Sequence, residues 1–138
     1  MNFILRTAVT SEASLKREVL FEATRRLSEL DNALVAYASV LRTHRIHEES
    51  WKEAFLEMSK QRNAASRAFD ETKLLVAVVC SNETKDALDS FSLLAGKVAA
   101  RISREDGNAY DTSHADVADK FLAAKAAIRK ELEIDKPA

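Results

Sequence analysis

The 138-residue chain is 46% hydrophobic, enough for one sizeable core and too short for two independent ones. Its 21 basic and 22 acidic residues are spread so evenly that no segment carries an excess of more than one charge, unlike a nucleic-acid or anionic-membrane binder, which concentrates Lys and Arg. Two glycines, one proline and a single cysteine disfavour strand-and-turn folds and leave no intrachain disulfide to form.

At the start, MNFILRTAV meets Arg6 after three apolar residues, too soon for a signal-peptide core. An anchor ahead of Phe3 is left open. The longest uncharged runs, residues 32–41 and 74–82, fall well short of the roughly 20 apolar residues that span a bilayer. A cytoplasmic protein with no inserted segment is the expectation.

The first periodic segment lies near residues 10–46. Leu20, Ala23, Leu27, Leu30, Leu34, Tyr37 and Leu41 recur at alternating steps of three and four, which is helical spacing. Ala33, Ala36 and Val40 widen the stripe. Its C-terminal end enters RTHRIHEESW, residues 42–51, where Ser50 is a candidate cap for the next helix.

A second helix is expected over 50–80, along Trp51, Phe55, Met58, Arg62, Ala65, Phe69, Thr72, Val76 and Val79, widened by Ala54, Ala68 and Leu75. Cys80 ends this run and is expected to pack as a small hydrophobe. SNET at 81–84 supplies capping oxygens for a third helix over 83–105, whose seam is Leu88, Phe91, Ala95, Val98 and Ile102, with Ala87 and Leu94 beside it.

REDGNAYDTS, residues 104–113, reads as a loop, with Gly107 and Asn108 reversing the chain and Thr112 or Ser113 capping the last helix. That fourth helix, over 113–133, carries Val117, Phe121, Ala124 and Ile128, widened by Ala118 and Leu132, and residues 134–138 form a frayed tail. Seams advancing seven residues in two turns, joined by short connections, predict one domain over 1–138: an all-α, four-helix antiparallel up-down bundle with long first and second helices.

Pairs four apart, Glu12 with Lys16, Glu22 with Arg26, Glu48 with Lys52 and Asp116 with Lys120, mark solvated faces. This topology gathers His44, His47 and His114 at one end, near Glu48, Asp106, Tyr110 and Asp111. Neutral imidazoles with a carboxylate are ligands that zinc, copper or iron accept, so a metal or small-ligand sensor using His44, His47, Glu48 and His114 is the alternative function. No Glu precedes a histidine by three, as di-iron bundles require. A seam that turns polar where it meets water accounts for these histidines without a ligand.

Catalysis is not expected, because Cys80 is predicted at the end away from every histidine and no glycine-rich loop exists to cradle a phosphate. No cofactor is expected either. Arg62 on a core seam lays its stem on the core and reaches a local acid or solvent. Gly96 and its neighbouring alanines offer a smooth face, expected to meet a neighbouring helix of the same bundle.

The first two helices are longer than the last two by ten or so residues, about 15 Å, so part of their seam is left uncovered. The function expected is therefore a non-catalytic interaction or scaffolding module that binds another helix or self-associates into a homo-oligomer. Val9, Ala13, Arg62 and Gly96 are the candidate contacts.

Overall fold

The structure, a computed structural model, describes residues 2–43 and 48–134, and the side chains of 14–43 and 48–133. Among them run four helices, α1 (Asn2–Thr43), α2 (Glu49–Val79), α3 (Asn82–Ser103) and α4 (Ala109–Ile134). Short connections make consecutive helices antiparallel neighbours, α4 returns against α1, and α1 also meets α3 across the centre. Among the described residues α2 and α4 do not approach one another. The bundle is therefore closed around the α1–α3 diagonal.

The four seams are the core. Leu20, Ala23, Leu27, Leu30, Leu34 and Tyr37 of α1 are buried with Phe69 and Val76 of α2, Leu88, Phe91, Ala95, Val98 and Ile102 of α3, and Val117, Ala124 and Ile128 of α4. Phe69, Phe91 and Phe121 meet edge to face at 6.1 Å and 5.9 Å, carrying ring contact from α2 through α3 to α4. Where α1 and α2 run on together, Tyr37 packs on Phe55 at 5.1 Å, and Phe55 on Trp51 at 5.0 Å. Of the stripe-widening residues, Leu75 and Ala118 are exposed instead. Both lie on the flank of their helix where the missing α2–α4 contact or the bundle exterior leaves nothing to cover them.

Helix boundaries depart from the sequence expectation at two ends. α1 begins at Asn2 rather than near residue 10. α4 begins at Ala109, four residues early, so Tyr110 and Asp111 are helical. Its last residue, Ile134, is still helical, and the rest of the tail expected over 134–138 lies outside the described residues. The cap at the start of α4 is not Thr112 or Ser113: the Asp106 carboxylate accepts from the Asn108 N–H at 3.0 Å and the Asp106 carbonyl from the Ala109 N–H at 3.1 Å. Arg101 holds that aspartate in place at 2.8 Å and also donates to Thr112 and Ser113, so one guanidinium knits the end of α3 to the first turn of α4. At α2 the cap position is Glu48, whose carbonyl takes the Lys52 N–H at 3.1 Å, leaving Ser50 inside the helix.

The chain reversal after α3 also uses a different residue. Glu105 takes the left-handed conformation, φ 64°, and Gly107 does not. The Glu105 N–H bonds Ile102 O at 2.9 Å and the Asp106 N–H bonds Arg101 O at 3.2 Å, the Schellman pattern of helix ends. A β-carbon in that conformation costs about 1 kcal/mol relative to glycine. Glu105→Gly is therefore expected to raise the unfolding free energy by about 0.5–1 kcal/mol, measured by urea titration; a loss of stability would show that the Glu105 side chain stabilises the turn more than its backbone strains it.

Candidate functional site

The end of the bundle that bears the histidines comes together only in part. Arg42 at the end of α1 pairs with Asp111 of α4 at 3.4 Å, so the end of α1 does meet the start of α4. Tyr110 lies within electrostatic reach of Asp31 and Arg42; burial first, then the Asp31 charge, pushes its hydroxyl above the usual range. His114 is exposed and sets its ring against Tyr110 at 5.8 Å. Glu48 is exposed at the start of α2. His44 and His47 lie outside the described residues. Among the described residues no three His, Cys, Asp or Glu side chains stand close enough to hold a metal ion.

Arg62 is partly buried on the α2 seam, near the Tyr37 hydroxyl and Ser59. Its terminal nitrogen donates to Asn63, while its Nε is buried without a hydrogen-bond partner among the described residues. It reaches a neighbouring amide rather than a carboxylate. Gly96 is exposed, and a β-carbon built there meets nothing within 4 Å, so no helix of this bundle covers it. The expected neighbour within the bundle is absent because positions 93, 96 and 100 face outward, opposite the buried Ala95, Val98 and Ile102. Cys80 does pack against the core, at the end of α2. An open groove of about 590 Å³ between α3 and α4 is lined by Lys97, Lys120, Asp116 and Asp119 among others. Its charges cancel, and nothing in it selects a ligand.

The opposite end is built with more care. Glu131 of α4 is 3% exposed. Its Oε1 accepts the backbone N–H of Ser81 and, at 3.0 Å, the Thr84 hydroxyl, and its Oε2 meets Lys16 Nζ of α1 at 3.0 Å. Ser81 is itself the cap of α3, accepting from the Thr84 N–H, so the carboxylate sits at a helix N-terminus where peptide dipoles favour negative charge. Burial alone would raise the Glu131 pKa, but the bonds from Ser81, Lys16 and Thr84 outweigh it and hold it at about 2. One side chain thus ties α1, the α2–α3 turn, α3 and α4 together.

Sequence reading misses this site, yet the signal is present. Continuing the α4 seam from Ile128 by three gives Glu131, and stepping back four from Leu20 gives Lys16. Each charge occupies a core position of its helix. Helical spacing matches Lys16 with Glu12, whose side chain lies outside the described residues; the Lys16 ammonium reaches across to α4. The pairing expected between Glu22 and Arg26 does form, at 2.8 Å, with Arg25 and Glu29 joining it.

Around the tie the surface mixes charge with apolar side chains, and Lys130 of α4 pairs with Glu83 of α3 in the open at 3.2 Å. Val78 is 82% exposed, Leu74 71% and Leu75 51%, all in the last turns of α2, and Leu15 and Phe21 are exposed on α1. The other large exposed apolar residues, Val35, Leu56, Leu93 and Leu122, are scattered. Beyond Lys16, α1 continues for fourteen residues to Asn2, about 20 Å, whereas α4 has three residues beyond Glu131 and α2 stops at Val79. Among the described residues no other helix accompanies α1 over that length. The candidate contacts Val9 and Ala13 belong to this overhang, and their side chains lie outside the described ones. The excess length of α2 lies at the other end, where its first turns pack with α1 through Trp51, Phe55 and Tyr37.

Comparison of the chain with family models, curated proteins and solved structures returns no match, and no described helix is long and apolar enough to cross a membrane.

Because the Glu131 pKa is lowered in the folded state, from 4.5 to about 2, its stabilisation is fully present above pH 4.5 and is lost as pH falls towards 2. Glu131→Gln is expected to cost about 3 kcal/mol at pH 7 and about 1 kcal/mol at pH 3. Urea titrations of both proteins at the two pH values check this; an equal cost at both would mean that the charge is not what matters.

Proposed function

We propose that the protein is a non-catalytic helix-pairing module that docks a partner on the end of the bundle carrying Leu15, Leu74, Leu75 and Val78. The observation that carries this reading is the coincidence of that exposed apolar surface with the unaccompanied length of α1. Each of the two alone is common. Single exposed apolar residues need no explanation, but Leu74, Leu75 and Val78 stand exposed together on the last two turns of α2.

The even charge of the chain fits the same reading. A docking surface that works by apolar burial needs no concentrated field to recruit its ligand, whereas binding of nucleic acid or anionic lipid does. Amphipathic helices lay their apolar stripe into such surfaces at helical spacing, and Leu74, Leu75 and Val78 present a stripe of that kind on α2. The function proposed involves no cofactor and no assembled set of catalytic groups.

A photo-crosslinking residue tests it. Val78→p-benzoylphenylalanine, expressed and irradiated in cells, is expected to give a discrete adduct with another polypeptide, while the same residue at the exposed Arg129 of α4 gives none. Adducts of equal yield at both positions, or none at Val78, would overturn the assignment.

A further inference from the structure

We propose that the occupant of this surface is α2 of a second copy of the chain, laid antiparallel along α2 of the first about a two-fold axis at the level of Phe69. The inference rests on the reading of Leu74, Leu75 and Val78 as a contact surface and adds the partner and its register.

The first support is that the contact residues share one face. Phe69, Thr72 and Val76 are the buried side of α2. On the opposite side Lys60, Ala64, Arg67, Glu71, Leu74 and Val78 recur at steps of four and three, and all six are exposed. At 100° per residue they fall within about 80° of one another, narrow enough for the seam between two helices. Leu75 stands at the edge of that seam.

The second support is charge. An open groove of about 330 Å³ beside this face, between α2 and α3, is lined by Arg67, Asp70, Glu71, Lys73, Lys85 and Asp89, among others. Four of these are matched within one copy: Lys73 reaches Asp70 and Asp89, each at 3.3 Å, and Lys85 reaches Asp89 at 3.6 Å. Arg67 and Glu71 have no ion pair or hydrogen bond among the described residues, and they stand one turn apart on the exposed face. A two-fold axis between them sets Arg67 of each copy level with Glu71 of the other, a ring of four alternating charges. A parallel pairing would set Arg67 beside Arg67 and Glu71 beside Glu71, which is unfavourable. A foreign helix would have to supply the same two charges in the reverse order, whereas a second copy supplies them by symmetry.

The apolar residues decide the register. With the axis at Phe69, Leu74 lies over Ala64 of the other copy and Val78 over the aliphatic stem of its Lys60. Sliding one copy by a heptad in one direction would match Lys60 with Glu71, but would set Leu74 on Glu57 and Val78 on Glu53. Sliding it the other way would set Leu74 on Glu71 and Val78 on Arg67. Of the three registers, the one centred on Phe69 alone keeps both apolar residues off carboxylates.

The test is a mass measurement with a charge swap and site-directed disulfides. Sedimentation equilibrium at about 100 micromolar is expected to give twice the chain mass. Arg67→Glu should weaken the dimer at least tenfold, and Arg67→Glu with Glu71→Arg should restore it. Leu74→Glu with Val78→Glu should yield monomer and leave the helical circular dichroism intact, as both residues are exposed. In a Cys80→Ser background, Ala64→Cys with Leu74→Cys should oxidise to a linked dimer and neither substitution alone should, since residue 64 faces residue 74. A monomer mass, a dimer indifferent to Arg67→Glu, or ready linking by Ala64→Cys alone would overturn the pairing. A monomer whose Val78 photo-adduct contains a different protein would overturn the second copy while leaving the docking surface standing.

Discussion

A carboxylate can leave water only if donors replace the water, and at Glu131 the donors come from three other parts of the chain. Lys16 arrives from α1, the Ser81 N–H from the turn between α2 and α3, and the Thr84 hydroxyl from the first turn of α3. Every other feature of this end stems from that requirement. α3 starts where its cap can serve both its own helix and the carboxylate, and α1 is pinned at Lys16 while its remaining length runs on. Hydrophobic seams bring helices together with freedom to slide by a turn; a buried charge with directional partners removes that freedom.

The bundle was legible in the sequence because its seams obey one rule without interruption. Leu20 to Tyr37 and Leu88 to Ile102 are buried as the steps of three and four require. The turns were less legible, since backbone angles are set by hydrogen bonds that compete within a few residues. Glycine at 107 suggested the reversal, but Arg101 and Asp106 draw the chain into α4 early and leave Glu105 to take the left-handed position. Leu75 shows a different limit. Periodicity marks which face of a helix is apolar, and it cannot say whether a neighbour reaches the edge of that face. The tie escapes a reading that matches Lys16 only along its own helix; it shows once Lys16 and Glu131 are taken as occupants of seam positions.

The two ends of the molecule therefore differ in kind. At the α3–α4 turn, Arg101, Asp106 and the Arg42–Asp111 pair make a polar and largely wet junction, with His114 on its surface. Ion pairs of that exposure contribute little to stability, and the apolar residues nearby, Tyr37, Phe55 and Trp51, are packed on one another. At the α2–α3 turn a carboxylate and its donors are held inside, while the Lys130–Glu83 pair and the α2 residues Leu74, Leu75 and Val78 lie on the surface.

The state of the overhang gives this asymmetry its energetic meaning. A free helix of about a dozen residues is marginal in water because the first turn must be nucleated, at a factor of roughly 10⁻³. Here the nucleus already exists, since α1 is held as helix by the core from Val19 onward and by Glu131 at Lys16. Extending it costs only propagation, near balance for each residue. The extension is thus spared about 4 kcal/mol of nucleation that a separate peptide would require. That nucleus depends on the tie, because Lys16 is held at the base of the extension by a carboxylate on another helix.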